Sequence, residues 1–157
     1  MYLRGTADAL IRRAIDMSYD LQRFKEAQER DYETALQEVR AGRKRSHWIW
    51  YIFPQLKGLG QSSTSYYYGI DGIGEARAYL ADPSLSSRLR EISKALLALE
   101  QQNPNNIFGN IDAQKVCSCM TLFEIADGTE HSVFSEVLDK FYGGYRDQFT
   151  AKMCEGK

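Results

Sequence analysis

Apolar residues recur at helical spacing along nearly the whole chain, and no sustained alternating run appears. Leu10, Ile11, Ala14 and Ile15 predict a short leading helix within residues 1–18, an extension ahead of the main domain. Leu21, Phe24, Tyr32, Ala35, Leu36 and Val39 share one side of the next helical wheel. Asp20 is placed to cap that helix and Gly42 to end it. Gln28 interrupts its apolar arc. Ser46, as an N-cap, and Pro54 bracket a short helix over residues 47–52. A buried strand competes there, because short apolar runs fit both.

The stretch "PQLKGLGQSSTSYYYGIDGIG" predicts a long loop, rich in glycine, serine and tyrosine. A short helix follows from Glu75 to Leu80. A longer one starts at Asp82, with Pro83 at its first position. After an "NPNN" turn, "DAQKVCSCMTLFEIADG" reads as a helix ended by Gly128, with Val116, Cys119 and Phe123 on its apolar face and Thr121 on the far side. Phe134, Val137, Leu138 and Phe141 mark another, stopped by Gly143 and Gly144, and a last one covers residues 147–154. The expected fold is mainly α: a single compact domain of six or seven helices over residues 19–157, with one long loop.

Composition narrows the function classes. A net charge of −1 gives no reason to expect nucleic acid as a partner. No stretch approaches the twenty or so apolar residues of a membrane span, and the first residues lack the apolar run of a signal peptide. Three cysteines with no paired spacing argue for reduced thiols in the cytoplasm. A C-x-C pair and two histidines make a poor metal signature, so neither metal nor cofactor is expected.

The chemistry concentrates in "RKRSHWIWYIFPQLKGLG" and the tyrosines after it. Trp48, Trp50, Tyr51, Phe53, Tyr66, Tyr67 and Tyr68 all fall within residues 43–70. Two readings stand: core packing, or a pocket wall whose aromatic faces stack on a flat ligand. His47 is a candidate acid–base group, or a packing histidine. Gln55 can read the hydrogen-bonding edge of a ligand, or tie down the loop backbone. The glycine loop with Gly58 and Gly60 lets backbone N–H groups approach an anion, but it is no Walker A, since no Gly-Lys-Ser/Thr closes it. Arg43 and Arg45 can grip phosphate, or simply complement a helix C-terminus. Asp112 and Lys115 open a helix, with Asp112 in line with its apolar face. Like Gln28, such a group needs a partner or marks a site.

The blocks "YDLQRFKEAQ", "RKRSHWIWYIFPQLKGLGQSSTSYYYGI", "EARAYLADPSLSSRL", "IFGNIDAQKVCSCMTLF" and "VLDKFYGGYRDQFT" resemble the successive blocks of an uncharacterised bacterial family. That family is a domain of unknown function, some of whose members carry a calpastatin label. The resemblance implies a mainly helical fold and carries no reaction. The label has no counterpart here, since nothing looks like a disordered protease inhibitor. A looser similarity of "KFYGGYRDQFT" to helical hydrolases of ADP-ribose-type N-glycosides suggests ligands to test.

The functional expectation is a small-molecule-binding helical domain, a hydrolase or sensor for a nucleotide-like anion. His47 and Asp112 would be its acid–base groups. Gln28, Arg43, Arg45, Trp48, Trp50, Gln55, Gly58, Gly60, Tyr68 and Lys115 would bind the ligand. The alternative is a non-enzymatic interaction module that presents the Tyr/Trp patch to a protein partner.

Overall fold

Helical periodicity becomes nine helices in the computed structural model, which describes residues 19–155. They are α1 (Gln22–Arg40), α2 (Ile49–Ile52), α3 (Ser63–Tyr68), α4 (Gly72–Ala81) and α5 (Pro83–Leu97), then α6 (Pro104–Phe108), α7 (Asn110–Asp127), α8 (Val133–Tyr142) and α9 (Gln148–Glu155). The expected leading helix lies outside the described residues. Two short helices were not expected: α3 inside the long loop, and α6 at the "NPNN" turn. Among the described residues, none of the helices is long and apolar enough to cross a membrane.

The centre is α7. It packs on α4, α6, α8 and α9, while α5 joins α1 to α8. Every residue of α7 from Val116 to Phe123 is buried. A helix covered on all sides shows no single apolar stripe, which is why Thr121, expected on the far side, is fully buried. Its hydroxyl donates to the Cys117 carbonyl at 2.9 Å and accepts the Asp147 amide at 3.0 Å. An aromatic series crosses the domain from Tyr68 through Phe24, Tyr79 and Phe123 to Phe134, with ring centroids 5.0–6.0 Å apart. Such tilted and edge-on contacts add to the area the rings bury.

Two expected caps are not made. Leu21, not Asp20, precedes α1, and no side chain caps that end. Trp48 precedes α2, while Ser46 bonds to Glu38. Elsewhere the signals hold: Asp82 accepts the Leu85 amide and Pro83 opens α5.

The long loop closes on itself. Leu56 and Ile70 form an isolated parallel bridge, with Lys57 N–H donating to the Ile70 carbonyl and Ile70 N–H to the Gln55 carbonyl, both at 2.9 Å. A Cβ at Gly69 would lie 2.6 Å from the Lys57 Cα, so only glycine lets the two ends meet. Arg23 clasps the far end. It donates to the carbonyls of Asp20, Tyr67 (2.8 Å) and Gly69 (2.9 Å), and pairs with Glu75 at 2.9 Å. Glu75 in turn accepts the Asp71 amide at 2.7 Å. Arg23 and Glu75 are both buried, which a charge pair tolerates only with its hydrogen bonds satisfied.

Candidate functional site

Chemistry-bearing groups converge on the first turn of α7. Asp112 stands there, where a carboxylate complements the helix N-terminus. Its Oδ2 lies 2.9 Å from Lys44 Nζ and its Oδ1 3.5 Å from Lys115 Nζ. The two ammonium groups also lie over indoles, Lys44 at 5.1 Å from Trp48 and Lys115 at 5.4 Å from Trp50. Lys44 is held in place by its own amide, which donates to the Ile107 carbonyl at 2.7 Å.

A cleft opens on each side of this cluster. One, of about 560 Å³, is lined by Arg43, Lys44, Asn105, Asn106 and Gly109. The other, of about 370 Å³, is lined by Gln55, Leu59, Gly60, Gln114, Lys115 and Asp147, with Ser118 and Ile111 beside them. Volumes of this order suit small-molecule ligands. Asp147 is a structural carboxylate as well as a wall. Its Oδ2 accepts the Thr150 amide and hydroxyl at 3.0 and 2.6 Å, and its Oδ1 accepts Gln114 Nε2 at 3.4 Å. Beneath Lys115, the Trp50 indole N–H is buried and has no hydrogen-bond partner among the described residues.

Of the residues singled out in sequence, Arg43, Trp50, Gln55, Gly60, Asp112 and Lys115 come together here. The others line neither cleft. Gln28 is buried between helices: its Nε2 donates to the Tyr51 carbonyl (2.8 Å) and the Tyr79 hydroxyl (2.9 Å), and its Oε1 accepts Arg88 at 3.4 Å. Trp48 is core, and its indole N–H donates to Glu38 at 2.9 Å. Tyr68 packs against Tyr51 and Phe24. His47, Arg45 and Gly58 are exposed and line neither cleft.

Lys44, Gln114, Ser118 and Asp147 were missed. Lys44 sat within a basic run that reads as a helix end. Gln114 and Ser118 line the cleft where α7 meets the long loop, and Asp147 joins them because α9 packs on α7. Among the described residues, no group of three His, Cys, Asp or Glu side chains is placed to hold a metal ion.

The fold has a solved counterpart. The crystal structure of the conserved hypothetical protein Rv1873 from Mycobacterium tuberculosis is 42% identical in sequence. It matches 87% of this chain and 97% of its own, with a TM-score of 0.83. No curated protein matches the chain. The sequence blocks quoted above fall within residues 18–154, which match the family described as "Protein of unknown function (DUF1810)", and the chain belongs to that family.

Proposed function

We propose that this domain binds a small nucleotide-like anion across the first turn of α7. The observation that carries this reading is the gathering of Lys44 and Lys115 on one carboxylate, Asp112, with a cleft on either side. Three cations, Arg43, Lys44 and Lys115, stand against two acids, Asp112 and the Asp147 wall, which leaves a net positive charge for phosphate. The amides of Gln55 and Gln114 offer donors and acceptors to the edge of a heterocycle or to ribose hydroxyls. A ligand with a phosphate centre and two polar ends, of the ADP-ribose type, suits two clefts better than one. If the ligand is cleaved, Asp112 is the acid–base group, because a phosphate that takes the lysines releases its carboxylate. His47 has no part in this reading.

A thermal-shift series with ADP-ribose, NAD, ADP, AMP and inorganic phosphate tests it. A ligand that binds only the folded state raises Tm by mass action. The expected result is a shift with at least one of these that is lost in both Gln55→Ala and Lys115→Ala, whose unliganded Tm stays close to the parent's. No shift with any of them, or a shift kept in both variants, overturns the reading. Chromatography of the incubated ligand then distinguishes a hydrolase from a sensor.

A further inference from the structure

A third cleft, of about 490 Å³, lies at the far end of the long loop and takes no part in the anion site. Its walls are Tyr19, Tyr66 and Tyr67, with Asp20, Asp71 and Lys57 between them. Tyr66 is 65% exposed and Tyr67 55%, although large aromatics are normally covered. Their backbone is held firmly. Ser62 caps α3, and Arg23 binds the carbonyls of Tyr67 and Gly69.

The charge of this cleft is acidic. Arg23 and Glu75 form its floor and neutralise each other. Asp71 precedes α4 yet does not cap it. Glu75 takes the Asp71 amide instead. Asp20 likewise caps nothing on α1. Among the described residues, neither carboxylate has an ion-pair partner. Among the described residues, Lys57 is the one remaining cation on the walls, and its Nζ lies 4.7 Å from the Tyr66 ring centroid. The chain's own ammonium thus occupies an aromatic face that favours cations.

We propose that this groove docks an arginine side chain carried on a basic peptide segment of a partner protein. A planar guanidinium stacks on tyrosine and forks onto a carboxylate, which a lysine cannot do. Two carboxylates beside exposed tyrosine rings supply both halves of that recognition. The partner arginine would displace Lys57 from Tyr66.

Fluorescence anisotropy of the full chain with a labelled Gly-Arg-Gly-Arg-Gly peptide at low salt tests this. The arginine peptide should bind about tenfold tighter than its citrulline counterpart, and about tenfold tighter than free agmatine in competition. Asp71→Asn and Tyr66→Ala should each weaken binding about fivefold, the scale of one exposed ion-pair or cation–π contact. Lys57→Ala should tighten it, which a merely structural lysine would not do. Gly74→Ala gives a second route. A Cβ there would lie 2.5 Å from the Tyr19 hydroxyl, so the alanine moves that ring and weakens binding while suiting the helix better. Lys115→Ala should bind the peptide like the parent, which separates this groove from the anion site. No binding, equal binding of the citrulline peptide, agmatine as tight as the peptide, or an unchanged Asp71→Asn overturns the proposal.

Discussion

Glu38 gathers four hydrogen bonds on one carboxylate: from the Arg45 amide at 2.7 Å, the Ser46 amide and the Trp48 indole at 2.9 Å, and the Ser46 hydroxyl at 2.6 Å. It therefore fastens the segment between α1 and α2 to the end of α1. Burial opposes its ionisation, but these donors outweigh that and hold the carboxyl pKa at about 2, below the usual 4.5. A carboxyl whose pKa is lower folded than unfolded adds stability above the unfolded value and loses it as pH falls through the folded one. Glu38→Gln should thus cost about 1–2 kcal/mol at neutral pH. The gap between variant and parent should shrink from about pH 4.5 down to about pH 2, read from urea midpoints across that range. Trp50 predicts the opposite sign. Its indole N–H is buried without a partner among the described residues, so Trp50→Phe removes an uncompensated donor. That variant should be about 1 kcal/mol more stable by the same measurement.

At the scale of elements, the Arg23 clasp determines whether α3 exists. The "STSYYY" sequence of α3 carries no apolar stripe, and none of its residues is buried. A six-residue helix is far too short to stand alone. It is sustained by its Ser62 cap, by the packing of Tyr68 on Phe24 and Tyr51, and by Arg23, more than forty residues away in sequence. Arg23→Met should cost about 3–5 kcal/mol, because it strands Glu75 as a buried charge. Arg23→Met with Glu75→Leu should recover part of that loss in denaturant titrations. In both variants the amides of Lys57 and Ile70 should exchange hydrogen faster than in the parent.

The same clasp marks what could be read from sequence. Local signals were legible: Asp82 with Pro83, the helix stop at Gly42, and Gln28 as a polar group that needs partners. Gln55, Asp112 and Lys115, singled out together from sequence, also lie near one another in the fold. Pairings between distant residues were not legible. Nothing local in α1 indicates that Arg23 meets Glu75, or that Lys44 meets Asp112. Nor does spacing show which tryptophan is core: Trp48 is buried with its indole N–H on Glu38, whereas Trp50 is half-buried under Lys115.

At the scale of the whole molecule, the burial of α7 determines thiol chemistry. Cys117 and Cys119 both lie within it. Burial, reinforced by the nearby Asp147, pushes the Cys117 thiol up to about 11, and burial alone raises Cys119 well above its ordinary value. Cys154 on α9 is half-buried and also raised, burial outweighing the nearby Arg77. The thiolate is the reactive form. The native protein at neutral pH should therefore show no fast-reacting thiol toward a disulfide reagent, and all three should react after unfolding. A fast native thiol would place a cysteine outside the packing described.

The bridge between Leu56 and Ile70 also has a consequence for engineering. A segment whose two ends are pinned side by side meets the rest of the protein as a cassette. Lengthening it leaves both anchor points where they are, and each doubling of such a loop costs only about 0.6 kcal/mol in closure entropy. Gly58 is exposed and lies between the bridge and α3. A tag or reporter spliced there needs flexible flanks, since its neighbours Lys57 and Leu59 line the tyrosine groove and an anion cleft.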